Sequence, residues 1–376
     1  MNSQQFAEVV KRAKLPGAAA VIVNSEGAIE SHATGFANVE SGAPMGPDTL
    51  CQIASMTKAL VSVAAMQLVE RGKLSLDAPI GEVLPDLASP QVLTGFNADG
   101  RPQTRDALRP MTLRHLLTHT SGFGYAFVQK SVLDFFLATG MPTPGSRQGI
   151  EMPLLFDPGE YWAYGVSTDW VGLAVEAASG QRLRDYLHEN VTGLLGMERT
   201  DFFDQPPEGL AAVHARLPEG GFAQVPAYIG GGEYDNAGGG LVSTANDYAK
   251  FLQAMLRGGE LDGARILSPE SFAEMTRNQV GTLRAGRMET TMPELTNIFD
   301  AFPDQHTGWG LGFLINPEQG SAGRAPGSLA WAGIFNSYYW IDPASDLAGV
   351  FVTQLSPFGD PRAMEAFAAV ERAAYA

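Results

Sequence analysis

The chain of 376 residues has a single cysteine, Cys51, so no disulfide can close within it and no cysteine cluster can hold a metal. The neighbours of Cys51 are apolar, which reads as a buried, inert thiol. Cations are scarce as well: 25 Lys and Arg stand against 41 Asp and Glu, a net charge of −16 with neutral His. Such a field repels phosphate backbones and anionic lipid, and the six lysines form no basic run. Nucleic acid and membrane surfaces are therefore excluded as expected partners. Long apolar runs are also missing. The most apolar window, residues 59–69, falls far short of the ~20 residues a membrane-spanning helix needs. Glu8, Lys11, Arg12 and Lys14 break the first segment where a signal peptide needs an unbroken apolar stretch, so a cytoplasmic location is expected.

What is present is an ordinary folding composition, 45% hydrophobic and 18% charged. The length fits about two domains or one large α/β unit. Residues 4–14 read as an amphipathic helix, and "AAAVIVNSEGAIESHATGFAN" reads as a hairpin turning at Asn24-Ser25-Glu26-Gly27. Residues 55–71 form a helical run that is apolar nearly all round, which places it inside a domain. Residues 75–250 carry short helical patterns at 112–122, 167–180 and 243–256, with few strand signals. A loop-like stretch from 278 to about 307 follows a helical pattern at 268–277. Extended runs then return, and a helix at 361–375 closes the chain. Strands at both ends imply one α/β domain from residues 1–50 and 257–376. A mainly helical domain, 51–256, would lie beside it with the active site at their interface.

Within "QIASMTKAL", Ser55 and Lys58 stand at i and i+3, so on a helix the ammonium comes within reach of the hydroxyl. By itself Ser-x-x-Lys is a weak signal, and a lysine snorkelling from the first turn is an equal reading. Ser55 at a helix start also offers its backbone N–H to an oxyanion. Tyr164 lies in "FDPGEYWAYGVSTDW", in a loop before a helix, where a phenol near Lys58 can take the serine proton. In "LAWAGIFNSYYW", Trp331-Ala332-Gly333 keeps one side small, as a backbone approaching a substrate requires, and Ile334 N–H is a candidate second oxyanion donor.

These elements resemble the serine β-lactamase and penicillin-binding protein superfamily, and within it the class C-like esterases called family VIII carboxylesterases. The resemblance covers most of the chain, through "LPGAAAVIV", "SGAPMGPDTLCQIASMTKAL", "MTLRHLLTHTSGFGY", "PGEYWAYGVSTDWVG", "GGGLVSTANDYAKF", "GWGLGF" and "WAGIFNSYYWIDP". It implies an antiparallel sheet flanked by helices with an adjoining helical domain. It also implies Ser55 as nucleophile, Lys58 as its activating partner, Tyr164 as general base, and the Ser55 and Ile334 amides as the oxyanion hole. Tyr125 is implied as a substrate contact. Phe123 is placed with it, an ordinary aromatic cluster being the alternative.

Two departures separate activities within that family. Trp331 stands where amide-acting members begin their third motif with lysine, and Tyr164-Gly165-Val166 lacks the usual Tyr-x-Asn amide. Both favour an ester over a β-lactam. The expected activity is hydrolysis of short-chain carboxylic esters through an acyl-enzyme on Ser55, with a small-molecule ester as partner and no cofactor or metal. A β-lactamase or D-amino peptidase-type amidase, an acyltransferase using the same site, and a non-catalytic penicillin-binding-type receptor are the alternatives. His115 and His119 form only half of a zinc motif, with no HExxH glutamate. Glycines 230–232 and 238–240 lack the spacing of a dinucleotide fingerprint, and no serine sits in Gly-x-Ser-x-Gly.

Overall fold

The structure is a computed structural model that describes residues 1–217, 219–227, 229 and 232–376. Gly230 and Gly231 of the first glycine run thus lie outside the described residues. Helix α1 (Ser3–Arg12) starts at Asn2, which forms a reciprocal capping box with Gln5, and it buries Phe6, Val9 and Val10. Strands β1 (Gly17–Asn24) and β2 (Gly27–Asn38) form the expected hairpin. The side-chain oxygen of Asn24 accepts from the N–H groups of Glu26 and Gly27, each at 3.0 Å, which closes the turn.

The remaining strands of the main sheet are β3 (Ala43–Pro44), β4 (Gly308–Trp309), β5 (Leu314–Ile315), β6 (Leu329–Gly333), β7 (Ser337–Asp342) and β8 (Leu347–Thr353). They lie in the order β4-β5-β6-β7-β8-β1-β2-β3, every pairing antiparallel. The two ends of the chain meet between β1 and β8, from Ala18 opposite Thr353 to Val23 opposite Ala348. Covered on both faces, β1 is buried from Gly17 to Val23, which is why it reads as a continuous apolar run. Side chains alternate across β7. Tyr338 and Trp340 meet Phe367 of the C-terminal helix α5 (Pro361–Ala374), whereas Tyr339 meets Tyr248 of helix α4 (Ala245–Leu256) on the other face.

A 3-10 turn at Ala54–Met56 leads into helix α2 (Thr57–Glu70), buried at every residue from Thr57 to Leu68. It packs against helix α3 (Ser167–Ser179). The helical middle of the chain also holds a hairpin, Gln91–Phe96 with Pro102–Asp106, that the sequence reading lacked. Its strands are mostly exposed and polar, so no alternation marks them, and its turn is tied by Asn97 accepting from Asp99 and Arg101. Residues 278–307 contain no helix or strand beyond two isolated bridges, Met288 with Phe299 and Thr296 with Phe358. Among the described residues no helix is long and apolar enough to cross a membrane.

Candidate active site

Ser55 sits in the 3-10 turn, preceded by Ala54 at a left-handed φ of 47°, an uncommon conformation for a residue with a side chain. The turn is held from the side by the segment after the second glycine run. Ile53 N–H donates to the Leu241 carbonyl, Leu241 N–H donates to Thr57 Oγ1, and Tyr248 donates its hydroxyl proton to the Met56 carbonyl. One helical turn on, Lys58 is 1% exposed. Its ammonium donates to Ser55 Oγ at 3.2 Å, to the Tyr125 hydroxyl at 3.2 Å and to the Gly238 carbonyl at 2.6 Å. Three acceptors use all three N–H bonds, which is how a buried ammonium is tolerated.

Tyr164 is buried, and Lys58 Nζ lies 4.8 Å from its ring centroid, over the face. The Tyr164 oxygen accepts from the indole N–H of Trp331 at 3.0 Å. The edge of Trp331 therefore points a donor at the phenol. The loop carrying Tyr164 closes on the turn carrying Tyr125 through Gly165, where a Cβ would lie 2.3 Å from the Phe123 carbonyl oxygen. Burial and the negative charge of Asp169 push the Tyr125 hydroxyl well above the ordinary tyrosine range, so Tyr125 stays a neutral phenol. Ser55, Tyr125, Tyr164, Trp331 and Ile334 all line one cleft of about 580 Å³, with Lys58 beneath. No described residue accepts a hydrogen bond from the backbone N–H of Ser55 or of Ile334.

Two residues expected at the substrate lie elsewhere. Phe123 is 2% exposed, stacks on Trp170 at 5.9 Å and does not line the cleft, because its ring fills the core behind Tyr125. Gly333 is small for a different reason: a Cβ there would lie 2.4 Å from the Ile53 carbonyl oxygen. The close approach is to the nucleophile's own turn, and it brings Ile334 beside Ser55. The loop-like stretch forms part of the cleft wall through Met288, Glu294 and Leu295. It is tied to the aromatic turn by Thr291, which donates to the carbonyls of Phe127 and Ala126. His115 accepts from Thr112 N–H in a helix cap, and His119 packs its ring 4.8 Å from Tyr164 and 5.3 Å from Trp309. Burial, with Lys58 near, holds His119 well below the ordinary histidine range, so it is neutral. Burial pushes the Cys51 thiol up to about 12, far from a thiolate.

The sequence reading missed Asp169 and the Gly238 carbonyl. Asp169 is 3% exposed, accepts from Gly238 N–H at 3.0 Å, and burial raises its carboxyl to about 6 against the pull of Lys58. Nothing in "STDWVG" separates this aspartate from a first-turn helix residue. Among known families, the one described as Beta-lactamase matches residues 3–374. The chain belongs to the beta-lactamase family. It is 32% identical to monacolin J acid methylbutanoyltransferase of Aspergillus terreus, over 99% of this chain and 94% of that protein. It is 31% identical to lovastatin esterase of Penicillium rubens, over 93% and 91%. A mutant of simvastatin synthase from Aspergillus terreus superposes with a TM-score of 0.85 at 29% identity, over 99% of this chain and 95% of that one. This beta-lactamase family member is a serine enzyme of the hydrolase and acyltransferase kind.

Proposed function

We propose that the chain is a serine carboxylesterase working through an acyl-enzyme on Ser55, with acyl transfer to an alcohol as a second outcome of the same intermediate. The observation that carries this reading is the buried Lys58 ammonium 3.2 Å from Ser55 Oγ at the floor of a largely apolar cleft. Ser55 Oγ attacks the ester carbonyl while Tyr164 takes its proton. The backbone N–H groups of Ser55 and Ile334 receive the oxyanion, and the alcohol leaves with the proton returned by Tyr164. Water then attacks the acyl carbon as Tyr164 takes its proton, and the bond to Ser55 Oγ breaks as Tyr164 hands that proton back to it. Tyr125 does not serve as the base, because burial and the charge of Asp169 keep it protonated.

Acyl transfer is favoured as the second outcome by the room in the cleft. A volume of about 580 Å³ is in the range of sites for drug-sized molecules, more than a short acyl chain fills. An apolar alcohol seated there displaces water and takes the acyl group instead. Both outcomes have precedent in the names of the relatives, a methylbutanoyltransferase and an esterase. Trp331 in place of a lysine argues against β-lactams as the main substrate.

Hydrolysis of p-nitrophenyl butyrate and of a chromogenic cephalosporin, with and without cyclohexanol, tests the reading. Expected are ester turnover well above cephalosporin turnover, cyclohexyl butyrate among the products, and a loss of at least about 10³-fold in Ser55→Ala. Turnover retained by Ser55→Ala, or a cephalosporin opened faster than the ester, refutes it.

A further inference from the structure

The charge of the cleft bears on which esters it accepts. Among its described lining residues the charged ones are Asp169 and Glu294, with no lysine or arginine. The four residues outside the description are Pro218, Tyr228, Gly230 and Gly231, none of which is cationic. Lys58 is the cation nearest the nucleophile, and its three N–H bonds already serve Ser55, Tyr125 and the Gly238 carbonyl. It has none left for a substrate carboxylate.

Arg147 follows Ser146, a lining residue, but its guanidinium is engaged away from the cleft. It donates to Asp86 at 2.6 Å and to Glu151 at 3.0 Å, and stacks 4.9 Å over Trp170. The two acids, by contrast, have no salt-bridge partner among the described residues, Lys58 acting on Asp169 without pairing with it. Glu294 is exposed at the rim, and neither it nor Asp169 joins an ion pair among the described residues. A second carboxylate on a bound ester would give up its hydration, gain no cation and face two like charges.

We infer that this cleft selects its substrate by charge, accepting esters that are neutral or cationic on both sides and rejecting those that carry an ionised carboxylate, with Glu294 contributing at the rim. The inference rests on the reading of the Ser55 cleft as an ester site, and it narrows that reading to uncharged or positively charged acyl and alcohol groups. The discrimination is partly screened, because the Glu294 contribution comes from an exposed side chain and weakens as salt is added.

The experiment uses three matched p-nitrophenyl esters: the butyrate, the hemisuccinate anion and the 4-trimethylammoniobutyrate cation. Their kcat/KM is measured on the wild-type chain, and their binding is measured by calorimetry on Ser55→Ala, which reports affinity whether or not the chain turns esters over. Expected is an anion penalty above about 30-fold relative to the butyrate in both readouts, with the cation equal to or better than the neutral ester. Glu294→Gln narrows the anion penalty at low salt; an unchanged penalty there overturns the part given to Glu294. An anion bound and turned over as well as the butyrate overturns the charge inference while leaving the esterase reading intact. Failure of wild-type turnover with the charge ranking retained in Ser55→Ala overturns the esterase reading instead. Binding of none of the three overturns both.

Discussion

Replacing Trp331 with phenylalanine removes the indole N–H that donates to the Tyr164 oxygen at 3.0 Å while keeping an aromatic ring in place. The ring matters for packing, since Trp331 lies 4.9 Å from the Tyr164 ring and 4.7 Å from the Trp309 ring. A hydrogen bond to an acceptor that gains negative charge contributes about 1.5–3 kcal/mol. Its loss therefore costs about 10- to 100-fold in rate, because Tyr164 gains that charge as it takes the serine proton in the transition state. The assay is kcat and KM for p-nitrophenyl butyrate hydrolysis. Trp331→Phe is expected to lower kcat by that factor with little change in KM, and Trp331→Lys, which restores a donor, to bring part of it back. A rise in KM with kcat unchanged would mean that the indole only shapes the cleft, and the donor argument would be wrong.

At Gly333, an added Cβ must displace the Ile53 carbonyl, because the two would lie 2.4 Å apart. Gly333→Ala is expected to lower kcat by about 10²-fold, the effect of losing one oxyanion donor, with a much smaller change in KM; unchanged kcat would remove Ile334 from the oxyanion hole. Asp169 titrates near 6 in the fold and near 3.8 when unfolded, so the native state holds a proton that the unfolded chain has lost across that window. Stability therefore falls as pH rises through it, by about 1.4 kcal/mol for each pH unit. Asp169→Asn abolishes that fall, so its melting temperature gains on the wild type at pH 8 and matches it near pH 4. An equal difference at both pH values would show that Asp169 is not the group responsible.

Several parts of this protein follow from local pattern alone. The turn at Asn24 to Gly27 needs only an asparagine able to accept from the next two N–H groups. The all-round burial of Thr57 to Leu68 is written in a run with no polar face, and Ser55 and Lys58 share a helical side through their spacing. Tyr164 and Ile334, picked out by their loop and strand contexts and given roles by a family resemblance, both line the cleft that holds Ser55. Other features depend on which distant segments meet. The Lys58 ammonium finds Tyr125 and the Gly238 carbonyl, 67 and 180 residues away, because helix and loops converge from separate parts of the chain. The small size of Gly333 is visible in sequence, but only its contact with Ile53 explains it. Asp169 reads as an ordinary first-turn aspartate until burial deprives it of water and raises its carboxyl. The direction of the Trp331 edge, 3.0 Å from the Tyr164 oxygen, likewise has no local signature. Periodicity and turn chemistry act between neighbours along the chain, whereas desolvation and hydrogen-bond partnership across the fold depend on tertiary packing.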